Sequence, residues 1–279
     1  MSATTTTPRT AKTTTTSTAG THALTDTATL LRRNLRHTLR YPSMTLGSVF
    51  GPVIMLLLFV GVLGRTLGAG LAAGGGQAGG YIAYIAPGII ITAVASGSMA
   101  TAVAVCVDMT EGIVDRFRTM PIARVSILSA HVINSMITTV ASTASVIAVA
   151  VLLGFRPTAG PAAWAGAAGL LLLLTFALTW LAVAIGLVSA TPEAASNSPL
   201  LIVFLPFVGS AFAPAGSMPA GIRQFAEYQP FTPVIETVRG LLMGTPVGHN
   251  GVIAIAWCVV IALTGYFWAR AGFRTGRAR

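Results

Sequence analysis

The chain has 279 residues, of which 54% are hydrophobic and 9% charged, with a formal net charge of +10 and a pI near 11. So few charged side chains cannot coat a water-soluble globule of this length, and the composition therefore defines a polytopic, all-α integral membrane protein. The basic residues stand at the ends of apolar runs, as membrane topology requires, and do not form the single patch that a nucleic-acid binder needs.

Residues 1–24 are threonine-rich, with TTTT at 4–7 and again at 13–16, and hold nothing that could build a core; they read as disordered. From Thr25 the pattern turns helical and predicts an amphipathic interfacial helix over 25–43. Leu31, Leu35 and Leu39 form one row of it, and Arg32, Arg36 and Arg40 form the adjacent row. Such a helix lies flat on the cytoplasmic surface with its arginines near anionic headgroups. The Arg32-Arg33 pair has the look of a twin-arginine export signal, but the five apolar runs beyond the first argue against a cleaved leader.

Six membrane spans are predicted, the first over about 44–63 with no charged residue. Its Gly47-x-x-x-Gly51 step lets helices approach and reads as packing within one subunit, and Pro52 is placed to kink it. The glycine-rich loop 64–80 has no lysine and so is no phosphate-binding loop of the Walker A kind. The second span, about 81–107, opens with Tyr81 and Tyr84, placed where an aromatic belt would meet the membrane surface, and with Pro87-Gly88.

Next comes DMTEGIVDRFRTMPIAR, residues 108–124, which sets acids and arginines between two apolar runs. At helical spacing Asp108, Glu111, Asp115 and Arg118 share one side, and Met109, Ile113, Phe117 and Met120 the other. The acids precede Arg118, the order a helix macrodipole favours, and Pro121 ends the helix. This is a short amphipathic helix with one face for membrane and one for a partner.

The third span, about 127–154, carries His131, read as a packing or headgroup contact with a proton-relay role the lesser alternative, since no carboxylate accompanies it. The fourth span is about 162–190 and begins with Trp164; the link after it holds Glu193. The fifth, about 199–214, is short and broken by Pro206, so its backbone is expected to continue as irregular or re-entrant chain. Beyond it Phe231, Val234, Ile235, Val238, Leu241 and Leu242 make an apolar helical face with Glu236 and Arg239 off it, which reads as a half-inserted helix at the outer leaflet. The sixth span is about 251–268, and 271–279 form a basic tail. With six spans, one side of the membrane holds thirteen Lys and Arg and the other four, which puts both termini in the cytoplasm.

No constellation of catalytic, metal-ligating or cofactor-binding residues is present. The spans contain no Asp or Glu, and there is no H-E-x-x-H, Cys-His cluster or G-x-S-x-G; Cys106 and Cys258 define neither a metal site nor a redox compartment. A lipid-modifying enzyme would need a polar reactive cluster, and none stands out. An ion-coupled secondary carrier or channel remains the alternative reading, although such a carrier commonly uses an ionisable group or broken helices within the membrane. Uphill transport by this chain would draw its energy from another chain.

The segment with Glu111, Gly112, Asp115-Arg116-Phe117-Arg118 and Met120-Pro121 resembles the cytoplasmic loop of type-2 ATP-binding-cassette (ABC) exporter permeases, the daunorubicin-resistance-like multidrug branch in particular. Pro87-Gly88, Met218-Pro219, Gln229-Pro230-Phe231-Thr232-Pro233 and Val238-Arg239-Gly240-Leu241-Leu242-Met243-Gly244 resemble that branch too, so the likeness runs from about Thr25 to the C-terminus. The resemblance implies a six-helix transmembrane domain over 44–270, in the bacterial plasma membrane, paired with a second copy or a sibling. It implies a separate nucleotide-binding ATPase subunit holding the ATP and magnesium, with no cofactor on this chain. It also implies that Glu111, Asp115, Arg116, Phe117, Arg118 and Pro121 contact that ATPase together with the N-terminal helix, and that the region of Pro230, Pro233, Glu236 and Arg239 helps close an outer gate. The function implied is export of a hydrophobic drug, antibiotic or lipid-like substrate.

Overall fold

The computed structural model describes residues 42–62, 64, 80–110 and 124–274. The described residues form helices and no strand: α1 (Pro42–Gly61), α2 (Gly80–Thr110), α3 (Arg124–Leu152), α4 (Pro161–Val188), α5 (Pro192–Asn197), α6 (Leu200–Val208), a 3₁₀ turn (Ala215–Ser217), α7 (Ala220–Tyr228), α8 (Phe231–Met243) and α9 (Asn250–Arg274). Four helices, α2, α3, α4 and α9, are long and apolar enough to cross a membrane. Phe50–Gly61 of α1 is a shorter apolar stretch, and α6 has nine residues. The interfacial helix expected over 25–43 and almost all of the charged segment 111–123 lie outside the described residues.

The organising element is α2. Its 31 residues span about 46 Å at the helical rise, longer than the roughly 30 Å hydrocarbon core of a bilayer. Ile85, Ile89, Ile90, Ile91 and Ala95 are wholly buried, because α1, α3, α4, α5, α6 and α8 all pack around this helix. Lipid tails are as apolar as leucine, so burial alone gives little drive for such packing, and close approach through small residues supplies it. A Cβ on Gly186 of α4 would stand 2.5 Å from the Ala102 carbonyl oxygen of α2, and one on Gly265 of α9 would stand 2.6 Å from the Leu181 backbone nitrogen of α4. At these points only glycine lets the helix backbones touch.

The outer surfaces of α1, α3 and α9 are apolar and exposed: Ile54 and Leu57, Ile137 and Val140, Val252, Ile255 and Val260 point away from the bundle. In water such a surface would be a liability; for a membrane protein it is the lipid-facing side.

Several expectations need correcting. Gly51 is exposed with nothing among the described residues within 4 Å of where a Cβ would sit, so the packing expected of it is not made against them. Tyr81 and Tyr84 do not form an exposed belt. Both are buried, because α6, α8 and the turn between α6 and α7 cover that end of α2. The helix α8 is buried on nearly every side, Arg239 included, so the side that holds Glu236 and Arg239 off its apolar stripe faces protein and not the membrane surface. Between α6 and α8 the sequence reading had no helix, and α7 fills that gap.

Candidate functional site

Two polar clusters stand out, one near each end of α2. The first is built on the break after α6. Pro206 removes one helical donor, and at Gly209 the backbone leaves the helix for an extended conformation (φ −90°, ψ −165°). Backbone groups freed in this way are costly in an apolar interior unless something else bonds them.

Here the partners come from α2 and α8. The Ser210 N–H donates to Thr232 Oγ1 (3.4 Å), and the Ser210 carbonyl accepts from Tyr84 Oη (3.0 Å) and from Arg239 Nη2 (2.8 Å). Gln229, buried at the turn into α8, donates from Nε2 to the same Thr232 hydroxyl (3.3 Å). Gly209 leaves room for that amide, since a Cβ there would collide with Gln229 Nε2.

Arg239 is the centre of this cluster and is 2% exposed. Its Nε and Nη2 both donate to the Tyr84 carbonyl (3.3 and 3.1 Å), its Nη1 donates to Glu236 Oε1 (2.6 Å), and its guanidinium carbon lies 3.9 Å from the centre of the Tyr84 ring. Pro87 withholds its donor from the Ala83 carbonyl in the same turn of α2, while the Tyr84 carbonyl has a second lone pair with which to accept from outside its helix. A buried charge is tolerable only with such a full set of partners, and the rigid guanidinium fork supplies three bonded nitrogens where a lysine has one.

Of the four gate residues predicted from sequence, all lie on or at the start of α8. Pro230 stands at its N-cap, Pro233 is buried in its first turn with its carbonyl accepting from Thr237 Oγ1 (2.6 Å), and Glu236 and Arg239 form the ion pair. Tyr84, Ser210, Gln229 and Thr232 were missed. The first of these was read as a membrane-surface aromatic; Gln229 and Thr232 stand in the Gln229-Pro230-Phe231-Thr232-Pro233 stretch that carries the resemblance but were given no role, and Ser210 has no signal until the helix break brings it to them.

The second cluster lies where α2 and α3 flank the charged segment. His131 Nε2–H donates to Asp108 Oδ2 at 3.0 Å, with the imidazole buried and the carboxylate a quarter exposed. The expectation that no carboxylate accompanies His131 is therefore wrong: the partner is 23 residues away in sequence on the neighbouring helix. Close by, Cys106 Sγ lies 3.6 Å from the Ser189 carbonyl. Thr191 caps α5 by accepting from the Ala194 N–H (3.3 Å). The Glu193 carboxylate accepts from its own backbone N–H and the Thr191 hydroxyl, which holds it below the usual carboxylate range. Glu111, Asp115, Arg116, Phe117, Arg118 and Pro121, like Arg32, Arg36 and Arg40, fall outside the described residues.

A row of aromatics joins α1 to the broken helix. Phe59 stacks near Phe212 (centroids 4.7 Å apart), Phe212 on Phe207 (4.9 Å), and Phe207 meets Phe204 (5.8 Å), whose ring is 55% exposed. Among the described residues no group of three or more His, Cys, Asp and Glu side chains could hold a metal ion.

Helices of membrane-spanning length packed round a central one, with a short broken helix and the buried helix α8 pinned to its end, describe a multi-pass membrane protein. The ABC-2 type transporter family matches residues 25–243, and the chain belongs to that family. Among curated proteins it is similar to the daunorubicin resistance ABC transporter permease protein DrrB1 of Streptomyces coeruleorubidus, 25% identical over 246 residues, covering 88% of this chain and 84% of that one. It is also similar to the "Probable doxorubicin resistance ABC transporter permease protein DrrC" of Mycobacterium tuberculosis, 26% identical over 220 residues, 77% of this chain and 79% of the relative.

Proposed function

We propose that this chain is the membrane-spanning permease subunit of an ATP-driven exporter in the bacterial plasma membrane. It moves a hydrophobic drug, antibiotic or lipid-like substrate outward, while a separate nucleotide-binding subunit holds ATP and magnesium and hydrolyses the nucleotide. The observation that carries this reading is the family match, which runs through the charged segment 111–123, the exposed helix α7 and the buried helix α8 alike. The relatives are named for resistance to daunorubicin and doxorubicin, and the partly exposed phenylalanine row beside the α6 break offers a hydrophobic substrate an apolar stacking surface.

In this reading α1 and α6, continued through the broken turn, complete a six-span domain, and both termini lie in the cytoplasm. Residues 25–43 form the interfacial helix, residues 271–279 the basic tail, and two permease chains pair. The segment 108–124 meets the ATPase through Glu111, Asp115, Arg116, Phe117, Arg118 and Pro121. The Arg239 cluster lies at the outer end and holds the exit closed in the resting state.

The test is reconstitution. The chain should hydrolyse no ATP alone. Together with a soluble chain from an adjacent reading frame that carries G-x-x-x-x-G-K-[ST], it should lower daunorubicin accumulation in vesicles only when ATP is supplied. Uptake driven by an ion gradient with no ATPase present would instead establish the secondary-carrier alternative.

A further inference from the structure

Three side-chain ion pairs are formed among the described residues. Arg223–Glu227 and Arg239–Glu236 each lie within one helix, and only Asp108–His131 joins two. The two helices it joins are the stems that lead into and out of residues 111–123. Asp108 stands two residues before the end of α2, and His131 two turns into α3. Beneath the pair Val105, Leu128, Val132 and Val183 form a buried apolar cluster of α2, α3 and α4, so the imidazole is backed by packed side chains and has little freedom to turn away.

We infer that Asp108 and His131 are a positioning pair that fixes the spacing and relative rotation of the two stems, and so the presentation of the segment between them. The physical argument is one of leverage. A segment of thirteen residues anchored at both ends takes its orientation from its anchors, and helix packing through apolar side chains alone resists sliding only weakly. A hydrogen bond from a buried ring to a carboxylate is directional and stronger than a neutral one, and it sets register where packing does not. The pair touches neither nucleotide nor substrate; it acts through the segment. Its functional consequence rests on the reading of residues 108–124 as the ATPase contact, whereas its structural consequence does not.

The experiment therefore has two arms on the full-length chain in nanodiscs. In the first, spin labels at Thr110→Cys and Arg124→Cys, with Cys106 and Cys258 replaced by alanine, report the distance between the stems. A single narrow distribution is expected with the native pair. It should broaden in Asp108→Ala and His131→Ala, broaden less in Asp108→Asn, which keeps an acceptor, and narrow again when Asp108→His is combined with His131→Asp. In the second arm, the chain is assembled with its ATPase and substrate-stimulated hydrolysis is measured. Each alanine variant should lose roughly five- to tenfold in turnover with ATPase capture held within about twofold, the double alanine variant should be no worse than either single, and the swap should recover turnover. Distributions unchanged in all variants, or losses that add in the double variant, overturn the inference. Failure of the native chain to capture any ATPase overturns the proposed function and leaves the spin-label arm to decide the pair on its own.

Discussion

The guanidinium carbon of Arg239 lies over the ring of Tyr84, 3.9 Å from its centre, and the group bonds to that same residue's backbone carbonyl, so one side chain grips another residue by both its aromatic face and its main chain. The grip extends to the Ser210 carbonyl, which the Tyr84 hydroxyl also reaches. Three elements far apart in sequence, α2, the broken end of α6 and α8, are thereby closed into one polar knot inside an apolar bundle. Everything in the knot depends on a cation having its full set of acceptors.

Arg239 should accordingly be irreplaceable by lysine. An ammonium offers a compact charge and cannot bond Tyr84, Ser210 and Glu236 at once from the same position. Arg239→Ala is expected to destabilise the protein by about 3 kcal/mol, the loss typical of breaking a buried pair, and Arg239→Lys to recover less than half of it. Thermal unfolding of the detergent-solubilised chain measures this. A lysine variant that melts with the wild type would show that the charge matters and the fork does not.

Glycines in this bundle divide into two kinds, and substitution should separate them. Gly186→Val drives a side chain into the Ala102 carbonyl of α2, and helix axes cannot part there without unpacking the core. A cost of about 3 kcal/mol, at the upper end of overpacking, is expected. Gly51→Ala meets nothing among the described residues and should be neutral or stabilising by up to about 1 kcal/mol, the helix propensity gained. If Gly51→Ala instead weakens self-association in native mass spectrometry, that exposed glycine face is a contact between copies.

The spans were legible because length and apolarity suffice to define them: α2, α3, α4 and α9 fall within a few residues of the predicted second, third, fourth and sixth. What escaped the sequence was which side of a helix faces protein. The aromatic-belt rule treats a tyrosine near a span's end as facing headgroups, and nothing local to Tyr84 announces that a helix 155 residues later covers it. Periodicity put Arg239 off the apolar stripe of α8, correctly as geometry, but a helix enclosed on all sides has an interior polar face as well. His131 looked solitary because its carboxylate partner lies on another helix. The helix α7 escaped because nine residues with an Arg–Glu pair resemble a loop until Ile222, Phe225 and Tyr228 are seen to share an exposed arc.

That arc yields a prediction of its own. Ile222, Phe225 and Tyr228 are half or more exposed on a short helix whose opposite side carries the Arg223–Glu227 pair, the pattern of a helix lying in a membrane interface. A tryptophan introduced as Phe225→Trp should be quenched by lipids brominated near the headgroup end of the chain and much less by lipids brominated at the chain terminus. Because four native tryptophans contribute signal, the difference spectrum against the unsubstituted protein is the quantity to read. Quenching by aqueous iodide in place of lipid bromine would put α7 in water.

The charged segment supplies the last prediction, on the proposed reading that it meets an ATPase. Glu111 stands immediately after the last described residue of α2, with Asp115 one helical turn on at the predicted spacing. An acid at that point would meet a basic or amide-rich surface on the partner. Reversing its charge with Glu111→Arg changes an attraction into a repulsion at the rim of a contact, where such changes act mainly on association. Capture of the ATPase by the membrane-inserted chain should fall by about tenfold at low salt, and the deficit should shrink as added salt screens the repulsion over the Debye length. Insertion and thermal stability should be unchanged, since on this reading the acid serves the partner and not the fold of the chain alone. Equal capture by both chains at every ionic strength would move the contact elsewhere, and the N-terminal row of Arg32, Arg36 and Arg40 would be the next place to reverse.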